Sequence, residues 1–227
     1  IHTLIRERQP LELCSYFEKG ESQKEGMGTV IKFRDHWYPL GIQPVPDEME
    51  PFYQELPPVP RLMVFGGEHD AVQMAAMGSL LGWEIHITVT ADEAKKKGDF
   101  PGAEHFDAVI PDQLETGPLD SQTAVLLMTH SYTKDLKYLL KLCDAQPAYL
   151  GLLGPAHRRD RLLNDLVERR PELDDAFFER VYGPSGLDLG GETAQEICLS
   201  VLSEILSVFR DSSGKPLREK ESGIHHR

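Results

Sequence analysis

Residues 61–210 predict an α/β domain, a parallel sheet with helices on both faces, preceded by a small separate segment. Apolar runs of four or five residues alternate there with stretches of helical spacing, which is how strands read when covering helices bury them on both sides. The first apolar run ends in Gly66-Gly67, where a strand must turn sharply into a helix. A glycine-rich loop within Val181–Thr193 leads into the last helical stretch.

The elements follow in order. Residues 1–43 read as a small α+β segment, with Pro10–Lys19 predicted helical and Thr29–Phe33 and Trp37–Leu40 pairing as strands around Arg34-Asp35-His36. Residues 44–60 carry six prolines among Asp47, Glu48, Glu50 and Glu55, the composition of an acidic linker running over a surface. Leu62–Phe65 is the first strand of the larger domain, and Ala71–Leu81 follows at helical spacing through Val72, Ala75, Ala76 and Leu80. Ile85, Ile87 and Val89 alternate as a strand requires. Ala91–Lys97 reads as a charged helical turn and Ala108–Ile110 as a brief strand. Ala124–Met128 and Tyr149–Leu153 are buried strands, each leading to a helix, Thr133–Cys143 and Ala156–Arg169. Val181–Tyr182 is short enough only for a minor strand. In the last helix, Thr193–Arg210, Thr193 and Glu196 form a capping box and Ile197, Val201 and Ile205 share a face. Residues 211–227 are polar and read as a disordered tail.

The 227 residues carry a formal charge of −13 with a pI near 5.1, which argues against binding nucleic acid or an anionic membrane surface. No stretch approaches the roughly 20 apolar residues that span a bilayer, and the N-terminus lacks the apolar core of a secretory signal. The first residue is Ile rather than Met, as in a fragment or a processed form. Cys14, Cys143 and Cys198 are too few and too scattered for a disulfide framework or a zinc ribbon, so the expected setting is the reducing cytoplasm. No spacing suggests a metal site, and no residue is set as a catalytic nucleophile.

In an open parallel sheet, ligands bind beyond the carboxyl ends of the strands. That rule gathers Gly66, Gly67, His69 and Asp70 after the first strand, Thr129 and His130 after Val125–Met128, Gly154, Arg158 and Arg159 after Tyr149–Leu153, and Gly186, Asp188 and Gly190 in the late loop. A glycine-rich loop feeding a helix N-terminus attracts anions, and the arginine fork suits phosphate. The structural alternatives are that the glycines serve packing, that the arginines pair with Asp160 and Glu168, and that His130 is a scaffold histidine. The His225-His226 pair has no supporting ligands.

A conventional dinucleotide site fits poorly. Glu68 occupies the position where a glycine lets the backbone approach a pyrophosphate, and Val89 stands where a ribose-binding acid is expected. Asp92 substitutes only if that strand ends late. NAD(P) is therefore disfavoured as a cofactor on residue chemistry.

Gly186–Ile197, reading Gly-Leu-Asp-Leu-Gly-Gly-Glu-Thr-Ala-Gln-Glu-Ile, resembles the closing signature of the XdhC/CoxI family, the accessory factors of xanthine dehydrogenase and related molybdenum hydroxylases. Val125–His130 with Asp135-Leu136, and Tyr149–Pro155 with Arg158-Arg159 and Arg161–Leu163, resemble two further blocks of that family in the same order. The resemblance covers about residues 61–210 and implies a Rossmann-like domain that binds the molybdenum cofactor, a molybdopterin, and helps mature or insert it into a client hydroxylase without turnover of its own. A homodimer is an assembly open to it. The family normally has glycine at the position of Glu68 and often an acid at that of Val89. It also carries an N-terminal glycine-rich segment with a cysteine, for which Ile1–Ile42 has no match. Two other classes remain, an NAD(P)-dependent Rossmann oxidoreductase and a non-catalytic interaction module.

Overall fold

The computed structural model describes residues 7–17, 28–41, 50–117 and 119–219. The chain divides into two compact units, Ile1–Val59 and Pro60–Arg227.

The first unit is an antiparallel sheet of β1 (Leu11–Tyr16), β2 (Gly28–Phe33), β3 (His36–Pro39) and β4 (Phe52–Leu56), in the order β3-β2-β1-β4. Two expectations are corrected here. Leu11–Tyr16, predicted helical, is a strand because it pairs on both sides, with β2 and with β4. Leu11, Cys14 and Tyr16 are buried while Glu12 faces Lys32 of β2 in a 2.8 Å ion pair. Phe52–Leu56 lies within the stretch expected to be a linker, yet it pairs with β1 through five residues. As the sheet's outermost strand it tolerates the flanking Pro51 and Pro57, since the missing N–H groups lie outside the ladder. Residues 42–49 of that stretch, and residues 220–227 of the expected tail with His225-His226, lie outside the described residues.

The second unit meets the α/β expectation. Its strands are β5 (Arg61–Phe65), β6 (Glu84–Thr90), β7 (His105–Val109), β8 (Thr123–Leu127), β9 (Tyr149–Leu152) and β10 (Val181–Tyr182). All pair in parallel, in the order β10-β9-β8-β5-β6-β7. Counted from β5, this is the Rossmann order 3-2-1-4-5-6 seen from its other edge, with the switch point between β5 and β8. The helices are α1 (His69–Leu80), α2 (Tyr132–Leu142), α3 (Ala156–Arg169), the short α4 (Asp175–Glu179) and α5 (Ala194–Phe209). Sequence periodicity gave no sign of α4, whose signal is its N-cap, Asp174, accepting from Phe177 N. The expected turn at Ala91–Lys97 is irregular up to a single 3₁₀ turn at Lys97–Asp99.

Alternation along the strands sorts the core into two layers. Leu62 and Val64 of β5 join Ala71, Met74 and Ala75 of α1 and Cys198, Val201 and Ile205 of α5. Met63 and Phe65 point the other way and meet Leu136 and Leu139 of α2 and Leu162 and Leu166 of α3. Each large side chain so buried contributes about 1.5–3 kcal/mol. Among the described residues no helix is long and apolar enough to cross a membrane.

At the N-terminal ends of the strands, Arg61 of β5 holds Glu84 of β6 through bonds of 3.1 Å to both carboxylate oxygens, and His86 Nε2 lies 2.7 Å from Glu84 Oε1. Burial alone pushes the Glu84 carboxyl up, but the hydrogen bonds from His86 and Arg61 and their charges outweigh it and hold it at about 2, against an ordinary 4.5. A carboxyl so depressed stabilises the fold above its unfolded value and loses that contribution as pH falls. The stability difference between wild type and Glu84→Gln should therefore be full above about pH 4.5 and shrink toward zero near pH 2, measured by urea unfolding across that range. A difference that stays constant with pH would detach the group from acid stability.

Candidate functional site

Gly66 makes the crossing at the switch point possible. Its φ is +148°, and a Cβ there would sit 2.5 Å from the Met128 carbonyl oxygen and 2.8 Å from its carbon. The chain leaving β5 thus runs against the chain leaving β8, with no room for a side chain between them. Glu68 then caps α1 without a side-chain bond and stays exposed.

Beside this crossing stands His130, at φ +57°, with its ring half exposed and Nε2 3.6 Å from Asp70 Oδ2. Thr129 is fixed by a carboxylate that sequence reasoning did not single out as functional. Asp135, 2% exposed, accepts from Thr129 Oγ1 at 2.6 Å and Thr129 N at 3.2 Å on one oxygen, and from Arg158 Nη2 at 2.6 Å on the other. Asp135 lies one turn into α2 and Arg158 one turn into α3, so this carboxylate ties both helix starts to the end of β8. The only sequence signal for it was its place in the second resemblance block, after Val125–His130.

The consequence for the arginines is direct. Arg158, expected to grip an anion, already has one in Asp135, although its Nε is buried without a partner. Arg159 bonds Asp160 at 3.0 Å and lays its stem against Gly183, with Nε likewise unpartnered. Of the pairing foreseen as the structural alternative, with Asp160 and Glu168, the Arg159–Asp160 contact is present, and Arg158 pairs with Asp135 instead. Arg161 stacks over Tyr132, 4.4 Å from the ring centroid. Met128, His130, Leu153, Gly154, Pro155 and Arg158 line a cavity of about 190 Å³ at the start of α3. Gly154, at φ +120°, turns the chain there into α3, whose first two N–H groups, those of Ala156 and His157, have no partner within the helix.

The late loop packs against α5. Gly186 N donates to Glu204 Oε2 at 2.8 Å, the same oxygen that Tyr149 reaches at 2.6 Å, and a Cβ on Gly186 would strike Ser200. The first turns of α5 reach the site side of α1 through Cys198 Sγ, 3.6 Å from the Asp70 carbonyl. Burial, with the Asp70 charge behind it, pushes the Cys198 thiol up to about 12, so it is an unreactive core group. Asp188, Gly190 and His69 are exposed, and among the described residues no side-chain bond ties Asp188 or His69 to the cavity. The structure therefore brings Gly66, Asp70, Thr129, His130, Gly154 and Arg158 together, while Gly186 serves the packing of its own loop.

On the β6 side of the crevice, side chains of the chain itself stand beside Gly67. Strand β6 does end late, at Thr90, but Asp92 and Glu93 beyond it are held by Lys134 of α2, at 3.6 Å and 3.0 Å. Lys134 Nζ also donates to Thr90 Oγ1. Glu93 Oε2 lies 2.5 Å from the place a Cβ would take on Gly67, so a carboxylate fills the space this glycine opens. A hollow of about 300 Å³ adjoins this brace, lined by Thr90, Asp92, Ile110, Lys134 and Lys137 among others and by none of the glycines.

Fold and site together define a Rossmann-type domain in which Glu93, paired with Lys134, stands against Gly67 beyond the first strand. Residues 62–205 match the model of the XdhC Rossmann domain. The chain belongs to the XdhC family. It is 31% identical over 156 residues to a probable xanthine dehydrogenase subunit of Bacillus subtilis, covering 68% of this chain and 44% of that protein. It is 26% identical over 151 residues to the molybdenum cofactor insertion chaperone PaoD of Escherichia coli, covering 66% of this chain and 41% of the chaperone. The chain thus spans less than half the length of either relative. The crystal structure of a xanthine dehydrogenase from Bacillus halodurans superposes with a TM-score of 0.73 at 20% identity, over 97% of this chain and 65% of that one, a likeness of fold.

Proposed function

We propose that residues 61–210 handle the pterin cofactor of a molybdenum hydroxylase, holding it as cargo through its phosphate and passing it to a client enzyme of the xanthine dehydrogenase type. The observation that carries this reading is the one-sided crevice: about 190 Å³ beside His130, Gly154 and Arg158, with Glu93 and Lys134 across the other half. That volume takes the phosphate end of a ligand rather than the whole of one, since pockets that enclose drug-sized ligands run from about 300 Å³. The N–H groups of Ala156 and His157 at the start of α3 carry the positive end of its dipole, and Arg158 and Arg159 stand at the same helix start. Met128 and Leu153 offer an apolar wall for a ring. The names of the two relatives, one a molybdenum cofactor insertion chaperone and the other part of a xanthine dehydrogenase, support the same direction.

Calorimetry of the full chain with a pterin monophosphate, NAD and inorganic phosphate tests the reading. The pterin monophosphate should bind and NAD should not. His130→Ala and Arg159→Ala should each weaken binding roughly 10- to 150-fold if each removes a charged hydrogen bond of about 1.5–3 kcal/mol. Equal affinity in wild type and both variants would take these residues out of the site. Binding of NAD in preference to the pterin would restore the oxidoreductase reading, and silence toward all three ligands would favour an interaction module.

A further inference from the structure

Four polar residues meet at the N-terminal ends of β5, β6 and β7, the opposite end of the sheet from the glycine loops. Glu84 and His86 stand two apart on β6, so the pleat puts both on one face. His105 of β7 is the direct cross-strand neighbour of His86, and Arg61 of β5 that of Glu84. The register therefore fixes the group. Glu84 Oε1 lies 2.7 Å from His86 Nε2 and 3.8 Å from His105 Nε2, and the two imidazole rings are 4.2 Å apart at their centroids. One ligand atom from each of the three residues falls within 4.8 Å of the other two.

We propose that Glu84, His86 and His105 form a site for a divalent transition metal, best suited to zinc. Two imidazole nitrogens and one carboxylate oxygen are donors zinc accepts, at about 2.0–2.2 Å each, which sets them roughly 3.3–3.6 Å from one another. The existing distances bracket that spacing, so modest side-chain rotations complete the geometry. The hydrogen bond between His86 and Glu84 is exchanged for one metal bond from each. His105 is 58% exposed and β7 is the edge of the sheet, so the ion enters from solvent and its remaining position takes water. No glycine loop or described cavity adjoins the group, which makes the metal a staple between the edge strand and its neighbour. Arg61 is the competing cation, with Nη2 3.1 Å from each oxygen of Glu84, and it lowers the affinity of the site.

The test titrates the full chain, stripped by a chelator, with zinc in a calorimeter and with cobalt(II) by visible absorption. One equivalent should bind, raising the melting temperature until the site saturates, with the cobalt complex showing the strong band of low coordination number. His105→Ala should weaken binding at least tenfold, and Arg61→Gln should tighten it. His105 carries the test because its exposed ring can be removed without opening the core, with circular dichroism to check folding and His86→Ala as a second variant. The tail histidines His225 and His226 bring donors of their own, so location is read from the variants. Zinc affinity unchanged in both histidine variants, or no binding up to millimolar zinc, would overturn the proposal.

Discussion

Replacing Gly66 with Ala should destabilise the larger unit by about 2–6 kcal/mol, from backbone strain of about 1–3 and overpacking of about 1–3 kcal/mol. The residue has φ +148°, and its absent side chain faces the Met128 carbonyl at 2.5 Å. That obstacle is backbone at the end of a central strand, and it cannot swing away as a flexible side chain would. Gly82→Ala is the control that separates the two costs. Gly82 also has a positive φ, +76°, but open space where a Cβ would go, so only conformational strain of about 1–2 kcal/mol is expected. Urea unfolding of both variants should rank Gly66→Ala well above Gly82→Ala. Equal losses would mean that the β5–β8 crossing relaxes freely.

Asp135→Asn should cost about 3 kcal/mol, the low end of the range for removing one partner of a buried ion pair. The carboxylate is 2% exposed while Arg158 keeps 21% of its side-chain surface, so water relieves part of the loss. The variant leaves a guanidinium facing a neutral amide and weakens the grip on Thr129. A double variant, Asp135→Asn with Arg158→Leu, should recover part of the stability because no charge is then left without its partner. Chemical unfolding of the four proteins gives the coupling directly. A single-variant loss below about 1 kcal/mol would show the pair to be a surface-type contact.

The strand and helix order of the larger unit was legible because period-2 and period-3.6 apolar patterns report burial directly, as Ile85, Ile87 and Val89 do on β6. The smaller unit was harder. Leu11–Tyr16 is short enough to fit either period, and its partners lie across gaps of sequence that local pattern does not bridge. Prolines concealed β4, since they forbid a central strand but not an outer one. In the site, residue types gathered at the strand ends as the fold rule requires, whereas ownership of the charges was not readable. Nothing local to Arg158 announces that its anion is Asp135, 23 residues earlier on another helix. Likewise Glu93 beside Gly67 depends on how the chain beyond β6 folds back.

The brace that Lys134 throws from α2 to Thr90, Asp92 and Glu93 has a kinetic meaning. A ligand anchored at two separated points leaves only when both let go together, so its residence grows roughly as the product of the two holds. On the proposed role, a ligand held through its phosphate at the start of α3 is moored at a single end, because Lys134 and Glu93 stand at the other. On that same proposed role its departure depends on loosening one contact region around His130 and the start of α3, so a client protein touching that region alone would be enough to set the exchange rate.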